Sequence, residues 1–195
     1  MTESVPVLVI TGPVGVGKTA VAAEASELLA RGQVAHAMVD MDALRRCFPR
    51  PPHDRFHAAL GLRNLAAIWE NFRAAGATRL VLAGVVEDRE GIAAHAAAIP
   101  GAVVQVIRLR ATLPTLLRRL EGREAGASLD WSRGRSAELV ELMERARVED
   151  ILVDTEGKSI AEVAREVVQR SGWWPASAQI AGGSSWHCGG RCGAS

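Results

Sequence analysis

Lysine is almost missing from this chain: it stands at Lys18 and Lys158 alone, so basic charge is carried almost wholly by arginine. An excess of either sign is missing too. The 23 Lys and Arg against 22 Asp and Glu leave a net charge of +1, which excludes the electrostatic footprint of a nucleic-acid binder or of a protein drawn to an acidic membrane surface. Cysteine is confined to Cys47, Cys188 and Cys192, too few and too clustered at one end for a disulfide framework, so a reducing, cytoplasmic setting is expected. Long apolar runs are also lacking. The first, from Val5, lasts about seven residues and follows the acidic Met1-Thr2-Glu3-Ser4, so neither an export signal nor a membrane span is expected. What remains is a chain of 195 residues, 48% hydrophobic and 23% charged, enough for one well-buried domain with small appendages. Its expected partner is a small molecule.

Short apolar runs alternate with helical patterns. Runs at 5–11, 34–39, 79–86, 102–109 and 151–154 read as buried strands. Between them, helices are expected over 17–31, ending at Gly32, over 55–75, ending at Gly76, over 87–98, from a Thr112 cap to about 120, over 136–147, and from Ser159 to 171. A short helix at 44–47 is stopped by Pro49, Pro51 and Pro52. Five strands alternating with helices imply an α/β fold, doubly wound around a parallel sheet. The domain is expected to end near 172. The Gly-, Ser- and Ala-rich remainder, 173–195, has no period and reads as a poorly ordered tail, whose His187, Cys188 and Cys192 make only a weak metal-ligand set.

The most specific signal is Gly12-Pro13-Val14-Gly15-Val16-Gly17-Lys18-Thr19, a G-x-x-x-x-G-K-T string between the first apolar run and an alanine-rich helix. In so lysine-poor a chain it would arise by chance about 0.002 times. Glycines let successive backbone N–H groups face one concavity, the following helix adds its positive end, and Lys18 can reach a nucleotide's outer phosphates. Thr19 can give a hydroxyl to Mg²⁺.

An open parallel sheet binds its ligand beyond the carboxyl ends of its strands. Asp40 and Asp42 stand there after the second run, able to hold Mg²⁺ through one carboxylate and to take a hydroxyl proton with the other. Asp42 is the expected base and Asp40 the magnesium partner, while one of them can also cap the helix that follows. Arg118 and Arg119 precede a glycine- and charge-rich stretch at 121–135, and Arg123, Arg133 and Arg135 lie within it; with the start of the next helix, at about 121–136, it reads as a lid over the nucleotide, Arg119 and Arg123 being the candidates to stabilise a transferring phosphoryl group. Arg45, Arg63 and Asn64 are candidates to bind an anionic or hydroxyl-rich acceptor. His57 reads as an ordinary surface histidine, the stretch 154–159 as the nucleobase edge, and Phe56, Trp69 and Phe72 as core.

In order of elements the chain resembles the nucleoside-monophosphate-kinase-like branch of P-loop phosphotransferases, over about residues 5–172. Val39-Asp40-Met41-Asp42-Ala43-Leu44-Arg45, with Leu62-Arg63-Asn64-Leu65, is similar to adenylylsulfate kinases, and the Asp pair also to shikimate, gluconate and chloramphenicol kinases. The resemblance implies a five-stranded sheet of order 2-3-1-4-5 with a helical lid. It also implies ATP and Mg²⁺ as cofactors, the P-loop residues Gly12 to Thr19 on the phosphates, an Asp as acceptor base and lid arginines at the transition state. The stretch Pro49-Arg50-Pro51-Pro52-His53-Asp54 departs from the adenylylsulfate kinase pattern, and the lid lacks its lysines. A kinase acting on a small hydroxyl acceptor is the expectation, with an ATP-binding regulator or a non-kinase NTPase as alternatives.

Overall fold

A computed structural model describes residues 4–49 and 53–174. The elements run β1 (Val5–Thr11), α1 (Lys18–Arg31), β2 (Ala37–Asp40), α2 (Met41–Leu44), a 3₁₀ turn (Arg55–His57), α3 (Ala58–Ala74), β3 (Leu80–Ala83), α4 (Arg89–Ala97), β4 (Ala102–Arg110), α5 (Leu113–Glu121), α6 (Gly126–Ala146), β5 (Ile151–Asp154) and α7 (Ile160–Arg170). The five strands form one parallel sheet in the order β2-β3-β1-β4-β5, the order implied by the resemblance. This is the doubly wound P-loop arrangement.

β1 lies at the centre, with Ile10 opposite Ala83 on one side and Ile107 on the other. Helices cover both faces of the sheet, which is why β1 is apolar almost without interruption. Leu8 and Ile10 point into one core, with Val21, Ala25 and Leu29 of α1 and Val163 and Val167 of α7. Val7 and Val9, one residue out of step, point into the other, with Leu65 and Trp69 of α3. Two layers of helices thus clamp the strands, and all strand carboxyl ends face one crevice.

Local chemistry sets the helix starts. Asp40 accepts from Asp42 N (2.8 Å) and Asp88 from Gly91 N (2.8 Å), while Ser159 and Glu162 form a capping box on α7. Thr112 occupies the cap position of α5, but its hydroxyl donates to Glu156 (2.8 Å) instead of capping.

Several boundaries differ from the sequence reading. The short helix spans Met41–Leu44 instead of 44–47, because Asp40 caps it directly off the strand. The third strand stops at Ala83, and the second begins at Ala37. The stretch 121–135, expected as a glycine-rich loop, is helical from Gly126, so Arg133, Gly134 and Arg135 sit within α6. Its buried positions, Ser132, Arg135, Ser136, Leu139 and Met143, keep a helical spacing, but three of them are polar or charged and masked the apolar period. Trp173, assigned from sequence to the tail, is 9% exposed and closes the first core, with the Arg79 guanidinium 5.3 Å from its ring centre. His187, Cys188 and Cys192 lie outside the described residues.

Candidate functional site

The turn after β1 is built from positive-φ glycines, Gly12 at 147°, Gly15 at 88° and Gly17 at 101°. Gly12 admits no side chain. A Cβ there would stand 2.6 Å from the Leu109 carbonyl oxygen, in the backbone of β4. Behind this turn Lys18, the first residue of α1, is 9% exposed and donates from Nζ to the carbonyls of Gly12 and Pro13, both at 3.0 Å. Burial lowers its pKa to about 8. Asp42 and Asp40 pull it back up, and Arg123 pushes it down.

Thr19 Oγ1 donates to Asp40 Oδ2 at 2.8 Å, and Asp40 Oδ1 takes the Asp42 backbone N–H. The ends of β1 and β2 are thus joined across the crevice by a hydroxyl and a carboxylate, a hard-oxygen pair suited to Mg²⁺. Among the described residues there is no cluster of three or more His, Cys, Asp or Glu side chains placed for a metal, so a cation here would need further oxygens from substrate phosphates. Asp42 is exposed and faces Arg45 at 3.9 Å.

Beyond Asp42 opens a cleft of about 1210 Å³, walled by α2 and the start of α3, by the segment from Val85 to His95, and by α6, and touching Val14 of the P-loop. Arg45 borders it, whereas Arg63 is exposed on α3 and is not among its lining residues. Asn64 bonds instead to the Leu44 carbonyl (2.8 Å). Of the arginines, Arg123 is exposed and lines the cleft, paired with Glu124 (2.7 Å). Arg119 is bound to Thr155 through its hydroxyl (3.1 Å) and carbonyl (3.2 Å), and more weakly to the Val16 carbonyl (3.4 Å). Glu156, in the stretch expected at the nucleobase edge, accepts from Thr112 and Thr115. Arg118 donates to Thr115, and Arg133 pairs with Glu121.

Residues 8–144 match the AAA domain family. The chain belongs to that family. Its fold is similar to a gluconokinase from Sinorhizobium meliloti 1021 at 21% identity, TM-score 0.58, covering 93% of this chain and 99% of that one. It is also similar to a shikimate kinase from Acinetobacter baumannii in complex with shikimate (17% identity, TM-score 0.55, 87% and 94% covered). A third similar structure is the APS kinase of Mycobacterium tuberculosis in complex with AMPPNP and APS (21% identity, TM-score 0.58, 86% and 98% covered). These are kinases of the kinds the sequence resembles, and at such identities the likeness is one of fold. No curated protein matches the sequence.

Within this AAA-domain chain the cleft contains residues that sequence reasoning passed over, such as Trp131 and His95, or assigned elsewhere, such as Phe56, His57 and Arg135. Phe56, expected as core, is 41% exposed and lines it, as does Trp131 at 57%. Arg135, 8% exposed, pairs with Glu87 and with Glu138 (2.7 Å), and its guanidinium stands 4.9 Å from the Phe56 ring centre. His57 is not an ordinary surface residue: it lines the cleft, and its Nδ1 lies 2.7 Å from the Arg45 carbonyl. His95 is 4% exposed, with Nδ1 bonded to the Gly91 carbonyl (2.7 Å), and burial together with nearby Arg45 lowers its pKa. The one signal that could have found the α6 wall was the spacing Ser128, Ser132, Arg135, Leu139.

Proposed function

We propose that the protein is an ATP-dependent phosphotransferase that moves the γ-phosphoryl group of ATP to a hydroxyl of a small acceptor. The observation that carries this reading is the run Thr19–Asp40–Asp42, which leads from the P-loop into the cleft. A simple NTPase needs only the first half of that run. A carboxylate opening on a cavity of about 1210 Å³ supports a second substrate.

The residues divide the work by position. Gly12, Pro13, Val14, Gly15, Val16 and Gly17 form the backbone cradle for the phosphates, and Lys18 turns its ammonium from the Gly12 and Pro13 carbonyls to the β- and γ-phosphates. Thr19 and Asp40 hold Mg²⁺, which when bound offsets negative charge on the phosphates. Asp42 accepts the proton of the acceptor hydroxyl as its oxygen forms a bond to the γ-phosphorus, and the bond to the β,γ-bridging oxygen breaks to release ADP. Arg123, beside Lys18 and facing the cleft, stabilises charge on the transferring group, and Arg119 braces the P-loop against the segment after β5. Arg45 borders the acceptor. No helix among the described residues is long and apolar enough to cross a membrane, and the cysteine usage supports a cytoplasmic setting.

The test is to incubate the protein with γ-labelled ATP, Mg²⁺ and a pooled library of hydroxyl compounds. Label in a small organic product is the expected result. Tight ATP binding without transfer would favour a regulator, and release of inorganic phosphate alone a plain NTPase.

A further inference from the structure

We infer that the acceptor is an uncharged hydroxyl compound with an aromatic or similarly flat apolar body, seated between Phe56 and Trp131. This rests on the kinase reading of the same cleft. Large hydrophobic side chains are seldom left this exposed at one place without a use, and here two aromatic residues at 41% and 57% exposure line a single cavity.

Their placement is held by the backbone and by neighbouring charge. Phe56 and the following His57 have φ of 59° and 52°, a conformation that bulky residues rarely adopt and that tends to mark functional positions. The strain breaks the helical path ahead of α3 and turns the Phe56 ring out of the core. Arg135 lies over that ring at 4.9 Å and is itself fixed by Glu87 and Glu138, so the aromatic wall is pre-organised. Trp131 is one helical turn before Arg135, on the same face of α6.

The charges of the cleft argue against an anionic acceptor. Arg135 is matched by two carboxylates, Arg123 by Glu124, and Arg45 faces Asp42. Arg46 and Asp88, the remaining charged lining residues, have opposite signs. A carboxylate or phosphate on the acceptor would have to displace an existing pair, whereas an uncharged molecule leaves them intact. Apolar Leu62, Val86 and Leu139 complete the wall.

The experiment offers the full-length protein with Mg-ATP two panels, neutral aromatic alcohols and acidic polyols, and follows both ADP release and tryptophan emission, with Trp131→Phe isolating the Trp131 signal. The expected result is turnover of aromatic alcohols, with KM raised about tenfold in Phe56→Ala and in Trp131→Ala but restored in Phe56→Tyr and Trp131→Phe. Turnover of the acidic polyols, with KM indifferent to these changes, would overturn the inference and leave the kinase reading standing. Absence of turnover with both panels would count against the kinase reading, and binding then decides: quenching of Trp131 emission by aromatic alcohols supports the aromatic site, and its absence rejects it.

Discussion

The two sides of the crevice are made of different material. The nucleotide side is backbone: three positive-φ glycines, the carbonyls of Gly12 and Pro13, and the almost wholly buried strand β1 that leads into them. The opposite wall is side chain: Arg45 over α3, Phe56 beneath Arg135, and Trp131 exposed on α6. Backbone geometry tolerates few residues at each place, so one wall is steep in sequence space, whereas a wall of paired charges and rings can be rebuilt without loss of fold. On the proposed phosphotransferase reading, phosphate is common to every ATP user and the acceptor is not, which fits the division.

The comparison breaks most sharply at Gly12. Gly12→Ala sets a Cβ at 2.6 Å from a β4 carbonyl and at a φ of 147°, so the P-loop must open. Together with Lys18→Ala it is expected to cut ATP-dependent turnover by about 10³-fold, in line with the loss of a preorganised electrostatic site. Nucleotide titration calorimetry alongside turnover checks this, and near-native binding in Gly12→Ala would mean that the backbone is not the selective element. At the junction of the two sides, Asp42→Asn is expected to lower kcat by about 10²- to 10⁴-fold through loss of the proposed general base. ATP affinity should change little, because Asp42 opens to the cleft and Asp40 bonds Thr19.

The same division explains what could be read in the sequence. Gly12, Gly15, Gly17 and Lys18 announced themselves because a positive φ and a phosphate-length reach leave almost no substitutes. The β-α alternation gave the parallel α/β class, the sheet order came only with the family resemblance, and Asp40 and Asp42 stood out by their position at a strand end. On the other wall the sequence misled. Ser132, Arg135 and Ser136 are buried in α6 by pairing with Glu124, Glu87, Glu138 and the Val14 carbonyl, which a count of apolar residues cannot detect. Phe56 fitted a helical period that the backbone leaves at that very residue. Arg63 shares α3 with Ala58 and Leu62, which line the cleft, but the helical rotation from Leu62 to the next residue carries it away from the cleft to an exposed position.

Lys18 gives the nucleotide side a pH signature with two opposite signs. Its folded-state pKa of about 8 lies below the ordinary 10.5, so between these values the unfolded chain holds the proton that the folded chain has released. The free protein should therefore gain stability as pH rises through that window, by about 1.4 kcal/mol per unit, and lose it as pH falls back through about 8. Nucleotide affinity should run the other way, because phosphates select the charged ammonium. It should weaken by up to about tenfold per unit above pH 8. Urea melts and nucleotide titrations across pH 7–10 measure both slopes, and two slopes of the same sign would remove Lys18 as the phosphate contact.

The smallest expected effect tests the side-chain wall. Glycine inside a helix ordinarily costs about 1 kcal/mol against alanine, so Gly61→Ala in α3 should by propensity stabilise the protein. Yet a Cβ there would stand 2.8 Å from Arg45 Cγ and 3.2 Å from its Nε, where the arginine stem crosses the helix. Arg45 is held at its two ends, His57 bonding its carbonyl and Asp42 facing its guanidinium at 3.9 Å, while its Nε is buried without a hydrogen-bond partner. The added methyl must push the stem outward, and the displaced guanidinium then leaves both Asp42 and the acceptor side of the cleft. The propensity gain and the cost of moving Arg45 should nearly cancel, leaving stability within about 1 kcal/mol of the parent. Acceptor KM should rise several-fold while nucleotide affinity stays put. A purely structural role for Gly61 predicts the reverse, an altered melting midpoint with acceptor KM untouched, so the KM shift is the quantity that separates a glycine kept for Arg45 from one kept for packing.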